Sequence, residues 1–180
     1  EIKKFVQIST DEVYGALSEN DKPFTENTPL APNSPYSASK TSADLLCRSF
    51  YETYKYPIVI TRCSNNYGSN QHTEKKIPIY GDGRNIRDWV HVEDHCEAID
   101  LVLHKGKNGE VYNIGGECEK RNIDIANIVL SHLNASTDLI EYVEDRKGHD
   151  WRYAVDITKI KNELGWYPKR KFNESIRELV

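Results

Sequence analysis

The sequence predicts an α/β fold whose sheet is at least partly parallel, and three observations predict it. Short apolar runs at Phe5–Ser9, Ile58–Cys63 and Val111–Ile114 have strand length, segments between and after them carry helical periodicity, and Gly, Asn and Pro separate the two kinds of segment. At 180 residues and 38% hydrophobic, the chain has the size and apolar content of one domain with one packed core.

Taken in order, Phe5–Ser9 reads as a buried strand that halts at Thr10-Asp11-Glu12 and Gly15, which places that triplet at a strand's C-terminal end. From Gly15 to Pro35 the composition turns to Asn, Asp, Thr and Pro, and Pro23, Pro29, Pro32 and Pro35 exclude a helix there. Long ordered excursions of this kind often carry function. Ala43, Leu46, Cys47, Phe50 and Tyr54 recur at helical spacing and predict a helix over Tyr36–Tyr54, closed by Pro57, before the buried strand Ile58–Cys63. Asn65, Asn66 and Gly68 break the chain, and a polar stretch leads to Ile77–Tyr80, the turn Gly81-Asp82-Gly83 and the segment Arg84–Val90. Val92–His104 is helical through Ala98, Ile99, Val102 and Leu103, and Val111–Ile114 is a strand stopped by Gly115-Gly116. Asn122 caps a helix with the stripe Ile125, Ile128, Val129 and Leu133; Asp156 caps a short helix ended by Gly165; and Asn173 caps a last one.

The net charge of -4 gives no global basic field for nucleic acid or anionic lipid, so a bound anion must be held by local residues. Cys47, Cys63, Cys96 and Cys118 are widely spaced, which suits reduced thiols better than a disulfide framework. No apolar run approaches the ~20 residues that span a bilayer, and no signal-peptide core opens the sequence, so a cytoplasmic protein is expected.

Two constellations suggest chemistry. Tyr36 and Lys40 stand four apart at a helix start and share a face, where a nearby ammonium would lower a phenol pKa from ~10 toward the range of a useful base. The plain alternative is an exposed tyrosine beside a solvated lysine. Thr10-Asp11-Glu12 lies where open α/β sheets place ligands, and two carboxylates in different surroundings can divide into an acid and a base. Both serve one pocket only if the strand has already turned, because successive strand residues face opposite ways; an ordinary acidic turn is the alternative. His91 and His95 could share a helical face, but no third ligand is evident and the H-E-x-x-H order is absent, so no metal site is expected.

The blocks Ser9-Thr10-Asp11-Glu12-Val13-Tyr14-Gly15, Tyr36-Ser37-Ala38-Ser39-Lys40, Asn65-Asn66-Tyr67-Gly68, and Gly81-Asp82-Gly83 with Arg87-Asp88-Trp89 together resemble the dTDP-glucose 4,6-dehydratases, of the extended short-chain dehydrogenase/reductase type. The resemblance covers nearly the whole chain, and the T-D-E block separates it from sugar-nucleotide 4-epimerases and decarboxylases. It implies the C-terminal portion of a Rossmann-type parallel sheet plus a smaller α/β substrate-binding part. Residues 1–68 would be the second half of the NAD-binding domain, and 69–180 mainly the sugar-nucleotide part, with some segments returning to the first.

The implied reaction oxidises C4 of dTDP-glucose, eliminates water across C5 and C6, and returns hydride to C6, with NAD as cofactor. Tyr36 would take the 4-hydroxyl proton, Glu12 the C5 proton, and Asp11 would protonate the leaving 6-hydroxyl, while Thr10 bonds near the 4-oxygen and Lys40 holds the nicotinamide ribose. Ser9, Cys63 and Asn65 would join Tyr36 and Lys40 around the cofactor. Arg87 is the implied diphosphate ligand, since a guanidinium grips phosphate as a fork, although a salt bridge to Asp82 or Asp88 would also explain it. Pro78 and Tyr80 would wall the thymine, or simply pack a strand. Asn66, Glu74, Lys75, Asn122, His149 and Tyr153 complete the implied substrate contacts, and the family's usual assembly is a homodimer through the Tyr36 helix.

Two departures stand against this pattern. No Gly-rich dinucleotide loop occurs in the 180 residues, and the stretch between Glu74 and Ile77 is shorter than the family's. Either the gene product is shortened or the chain joins segments of a longer protein, and exposure of a large apolar sheet edge in the first case favours the second. The rival functions are another NAD-dependent sugar-nucleotide dehydratase, epimerase or decarboxylase, and a catalytically silent fragment that only binds sugar nucleotide.

Overall fold

The computed structural model describes residues 2–69 and 76–179. Its central sheet is wholly parallel, in the order β1 (Phe5–Thr10), β2 (Ile58–Cys63) and β6 (Val111–Ile114). In this register Thr10 lies opposite Cys63, and Cys63 opposite Ile114, so three strand ends open on one edge. A second sheet sets β5 (Ile86–His91) between β3 (Asn65–Tyr67), parallel to it, and β7 (Glu119–Arg121), antiparallel. The third pairs β4 (Ile77–Tyr80) with β8 (Ile140–Val143) in parallel. The α/β class and the parallel sheet expected from the sequence are therefore present.

Helix α1 (Pro35–Tyr54) begins where the local chemistry directs it: Ser34 and Ser37 form a capping box and Pro35 occupies the first turn. It ends at Lys55 in the left-handed region with φ 56, two residues before Pro57. The direction of its apolar stripe is not the one its spacing suggests, because Ser37, Thr41 and Asp44 face inward while Leu46, Phe50 and Tyr54 are exposed. Small polar side chains let α1 approach the sheet closely, and Asp44 finds Arg62 of β2 there at 2.9 Å. Phe5 and Ile8 of β1 are likewise exposed, so this edge strand is less buried than expected. A broad apolar hollow of about 720 Å³ lies between them, lined by Phe5, Leu46, Cys47, Phe50 and Tyr56.

Helix α2 (Val92–Lys105) also packs on β1 and β2, and α4 (Thr158–Leu164) covers β6. Between them lies the main core, in which Ala98, Val102, Tyr112, Ile114 and Ile160 are fully shielded. Burying each large aliphatic side chain contributes roughly 1.5–3 kcal/mol. A smaller cluster joins Tyr67, Phe172 and Ile176 below β5, with α5 (Phe172–Leu179) closing it. The excursion from Gly15 to Pro35 is anchored by bridges from Leu17 to Arg152 and from Phe24 to Val155. Arg152 strengthens the clasp by donating to Glu119 and to the carbonyls of Ser18 and Asp21.

Several boundaries differ from the sequence expectations. Asn65 and Asn66, read as a break, form β3, because a three-residue strand shows no period to detect. Helix α3 (Asn122–Leu133) starts one residue early: Arg121 occupies the cap position and Asn122, expected there, is in the first turn. Asn173 likewise lies inside α5, and Ile157 rather than Asp156 occupies the cap position of α4, although Asp156, one residue before it, accepts from Thr158 N at 2.7 Å. All four cysteines are free thiols, with Cys96 exposed and the others half-buried. Among the described residues no helix is long and apolar enough to cross a membrane.

Candidate active site

Thr10 ends β1 in an extended conformation, and its hydroxyl oxygen accepts from Glu12 N at 3.3 Å, which folds Asp11–Tyr14 into a 3-10 turn. Gly15 at φ 91 closes the turn, and a Cβ there would stand 2.6 Å from the Ala31 carbonyl, so glycine is required both for conformation and for space. The turn breaks the alternation of the strand. Asp11 points beneath the surface while Glu12 reaches the cavity above it.

Asp11 is only 2% exposed; the Thr10 hydroxyl donates to its Oδ1 at 3.3 Å, and its Oδ2 has no partner among the described residues. Burial, followed by the negative charges of Asp88 and Glu12, pushes its pKa up to about 7 against the opposing pull of Arg87. Asp11 is therefore poised to hold a proton near neutrality. Glu12 is raised as well, chiefly by burial, with Arg87 opposing. The two carboxyl groups thus occupy different environments within one turn of chain.

Tyr36 projects from the first turn of α1 into the same cavity, 55% exposed. Lys40 follows it by one helical turn, but its ammonium donates to the Ile8 carbonyl at 2.7 Å. The lowered phenol pKa expected from the Tyr36–Lys40 spacing is not found: burial raises it, and Glu12, Cys63 and Asp11 add to the rise. Shared helical position brought the two side chains to one face, yet the lysine turns one donor to β1, and the carboxylates and Cys63 are the neighbours that raise the phenol.

The cavity measures about 600 Å³. Arg87 of β5 lies in its wall, 6% exposed, donating to the carbonyls of Ile86 at 2.7 Å, Asp150 at 3.0 Å and Trp151 at 3.3 Å, with its guanidinium 4.3 Å over the Tyr153 ring. The alternative ion pairs do not form. Asp82 bonds the exposed Arg84, and Asp88 accepts from Gly116 N and Cys118 N. A buried guanidinium with no carboxylate in salt-bridge range among the described residues is a ready anion ligand; burial lowers its pKa and the nearby Tyr153, Asp11 and Glu12 oppose that.

Asn65, Tyr80, Asn122, His149 and Tyr153 line this cavity too. Freed from capping, the half-buried Asn122 faces it; Tyr153 donates to Asp150 at 2.6 Å, and this bond together with burial holds its pKa well above the ordinary phenol value. Ser9, Cys63, Asp11 and Thr10 sit behind the wall at the ends of β1 and β2. Two expected substrate residues lie elsewhere: Asn66 is engaged by His95 Nδ1 at 2.8 Å, and Pro78 is exposed on β4. Glu74 and Lys75 lie outside the described residues. His91 caps α2 by accepting from Glu93 N at 3.2 Å. Sequence reasoning missed Arg146, Lys147, Trp89 and Ser34, which also border the cavity, with Arg146 stacked 3.9 Å over Tyr80. The basic pair followed by Gly148 was the available signal.

Against known proteins, the family model described as GDP-mannose 4,6 dehydratase matches residues 1–179. A low-salt glycan biosynthesis protein of Haloferax volcanii is 49% identical, over 100% of the chain and 61% of that relative. A dTDP-glucose 4,6-dehydratase of Xanthomonas campestris is 47% identical over 98% of the chain and 56% of its own length. The crystal structure of dTDP-glucose 4,6-dehydratase from Bacillus anthracis in complex with NAD superposes with a TM-score of 0.92 at 52% identity, covering 98% of this chain and 60% of that one. The chain thus spans less than two thirds of the length of these relatives. With a family model matched from end to end and a parallel α/β fold shared with the solved dehydratase, the chain belongs to the GDP-mannose 4,6 dehydratase family.

Proposed function

We propose that this chain carries the catalytic station of a dTDP-glucose 4,6-dehydratase, which converts dTDP-glucose to dTDP-4-keto-6-deoxyglucose. The observation that carries the reading is the 3-10 turn at the end of β1, which sets a buried, proton-holding Asp11 and a cavity-facing Glu12 beside the Tyr36 phenol.

The residues present fit the nicotinamide end of NAD. Lys40 of α1 reaches the Ile8 carbonyl near the carboxyl end of β1 and Tyr36 faces the cavity, at the edge where α/β sheets take nucleotides, and the buried Ser9 hydroxyl of β1 has no close partner among the described residues beyond its approach to Asp44. Tyr36, Lys40, Ser9, Cys63 and Asn65 would hold that end. When bound, NAD supplies a hydride acceptor for C4 and the hydride donor for C6.

The chain's own groups supply the proton chemistry. As C4 is oxidised, Tyr36 takes the 4-hydroxyl proton as its phenolate, a form that burial and the neighbouring carboxylates disfavour, so the step gains as pH rises; the resulting ketone acidifies the C5 hydrogen. Glu12 then takes the C5 proton while Asp11 gives its proton to the departing 6-hydroxyl, so water leaves. Glu12 returns its proton to C5 as C6 is reduced, and the proton on Tyr36 replaces that of Asp11 through solvent. Arg87, with Arg146 and Lys147, binds the diphosphate, and Tyr80 and His149 flank the nucleobase. Asn122 and Tyr153 complete the sugar side.

Residues 1–68 act as the second half of the NAD-binding domain, and 69–180 mainly bind sugar nucleotide; β6 is the segment that returns, since it pairs with β2. A cytoplasmic homodimer is part of the same reading, supported by free thiols and the outward apolar stripe of α1. The test is incubation of the protein with dTDP-glucose, with and without added NAD, followed by mass spectrometry for a product lighter by one water. Its absence under both conditions, with substrate shown to bind, refutes dehydration and leaves the silent sugar-nucleotide binder.

A further inference from the structure

The two stations of the proposed reaction stand on different elements: Tyr36 and Lys40 on α1, and Asp11 and Glu12 on the turn after β1. One residue of β2 touches the structure behind both. Arg62 Nε donates to Asp44 Oδ2 of α1 at 2.9 Å, with the arginine side chain 6% and the aspartate 1% exposed. The same guanidinium lies 4.8 Å over the ring of Tyr14, the last residue of the turn. Tyr14 is itself fixed, for its hydroxyl donates to Asn113 Oδ1 of β6 at 2.8 Å and its ring stacks 5.0 Å from Phe24. Asp44 stands one helical turn beyond Lys40 and two beyond Tyr36, so the pair grips α1 at mid-length, on the same face as the turns that carry them.

We infer that Asp44, Arg62 and Tyr14 form a positioning strut that sets the distance between the helix bearing Tyr36 and the turn bearing Asp11 and Glu12. None of the three lines the reaction cavity. Their effect is therefore exerted through the residues they hold. A buried ion pair is weak evidence for stability but is well suited to fixing one geometry, because both partners lose heavily if either moves. The strut crosses from a helix through a central strand to a turn, and other described contacts between α1 and the turn carry no charge pair.

The inference rests on the dehydratase reading and predicts a specific fault. When the strut changes length, oxidation at C4, which relies on Tyr36 and Lys40 of the one helix, outlasts elimination, which also needs Asp11 and Glu12 of the turn in place beside that helix. The test is the ratio of reduced nicotinamide and 4-keto hexose, trapped in rapid quench, to dehydrated product in the intact holoenzyme. Arg62→Lys and Asp44→Glu each keep the charges and alter the reach. Each is expected to raise that ratio about tenfold, on the scale of losses from an ångström of misplacement, and the length-matched double variant to return it toward wild type. Folded single variants with an unchanged ratio, or a double variant no better than the singles, overturn the inference. If the single variants do not fold, Tyr14→Leu, which keeps the ion pair and removes the ring together with its hydroxyl bond to Asn113, answers by the same ratio, with Tyr14→Phe as the control that loses the hydroxyl bond alone. Failure of the wild type to form product would strike the dehydratase reading instead, before any variant is compared.

Discussion

Replacing Asp11 by Asn asks directly whether this carboxyl holds its proton in the fold. Moving a carboxyl from its ordinary 3.8 to about 7 makes its ionised form costly in the native state. At about 1.4 kcal/mol per pH unit, the cost approaches roughly 4 kcal/mol once the group is fully ionised. The sign comes from proton counting. Between the two pKa values the folded chain holds more protons than the unfolded one, so stability falls as pH rises through that window and levels off above about 7. Asn cannot ionise and escapes this loss. The stability of Asp11→Asn relative to wild type should therefore improve by about 2–3 kcal/mol between pH 5 and pH 8. Urea unfolding followed by circular dichroism at several pH values measures it. Curves for the two proteins that stay parallel over this range would show that Asp11 ionises freely and is no proton reservoir. In the same variant, product formation is lost although nucleotide sugar still binds.

Tyr36→Phe removes an exposed hydroxyl, so folding stability should change by less than about 0.5 kcal/mol while turnover falls by about 10²–10⁴, measured by calorimetry beside product formation. Arg87→Lys keeps a charge but loses the planar fork, and KM for dTDP-glucose should rise about tenfold or more in steady-state assays, with kcat less affected. An unchanged KM would remove Arg87 from the diphosphate site. Alkylation at pH 8 and then peptide mass mapping should label exposed Cys96 well before Cys63, whose thiol is pushed up to about 11 by burial and by Asp11.

The alternation of Phe5–Ser9, Ile58–Cys63 and Val111–Ile114 with helical segments was enough to find the central parallel sheet, because buried parallel strands are short, apolar and bounded by turns. Strands such as Asn65–Tyr67 and Glu119–Arg121 were invisible, since polar triplets form strands only when a neighbour offers its edge. The inward face of α1 was hidden for a related reason: spacing reveals a stripe but not what it meets, and Asp44 is inside only because Arg62 waits there. At the site, position at a strand end marked Asp11 and Glu12, while the fate of Lys40 depended on the Ile8 carbonyl, 32 residues away in sequence. Arg146 entered the cavity through stacking on Tyr80; the basic pair before Gly148 marks a candidate, but the contact itself joins segments far apart in sequence.

The tight coil after β1 also constrains how such a protein can diverge. With about three residues per turn, one inserted or deleted position between Thr10 and Glu12 would rotate every later residue of the coil by about a third of a revolution, carrying Glu12 off the cavity and Tyr14 off its guanidinium. Side chains there can be exchanged one at a time to alter the chemistry, but the count of residues cannot drift as it does in surface loops. Attempts to graft another activity onto this scaffold should hold that count and vary only identity.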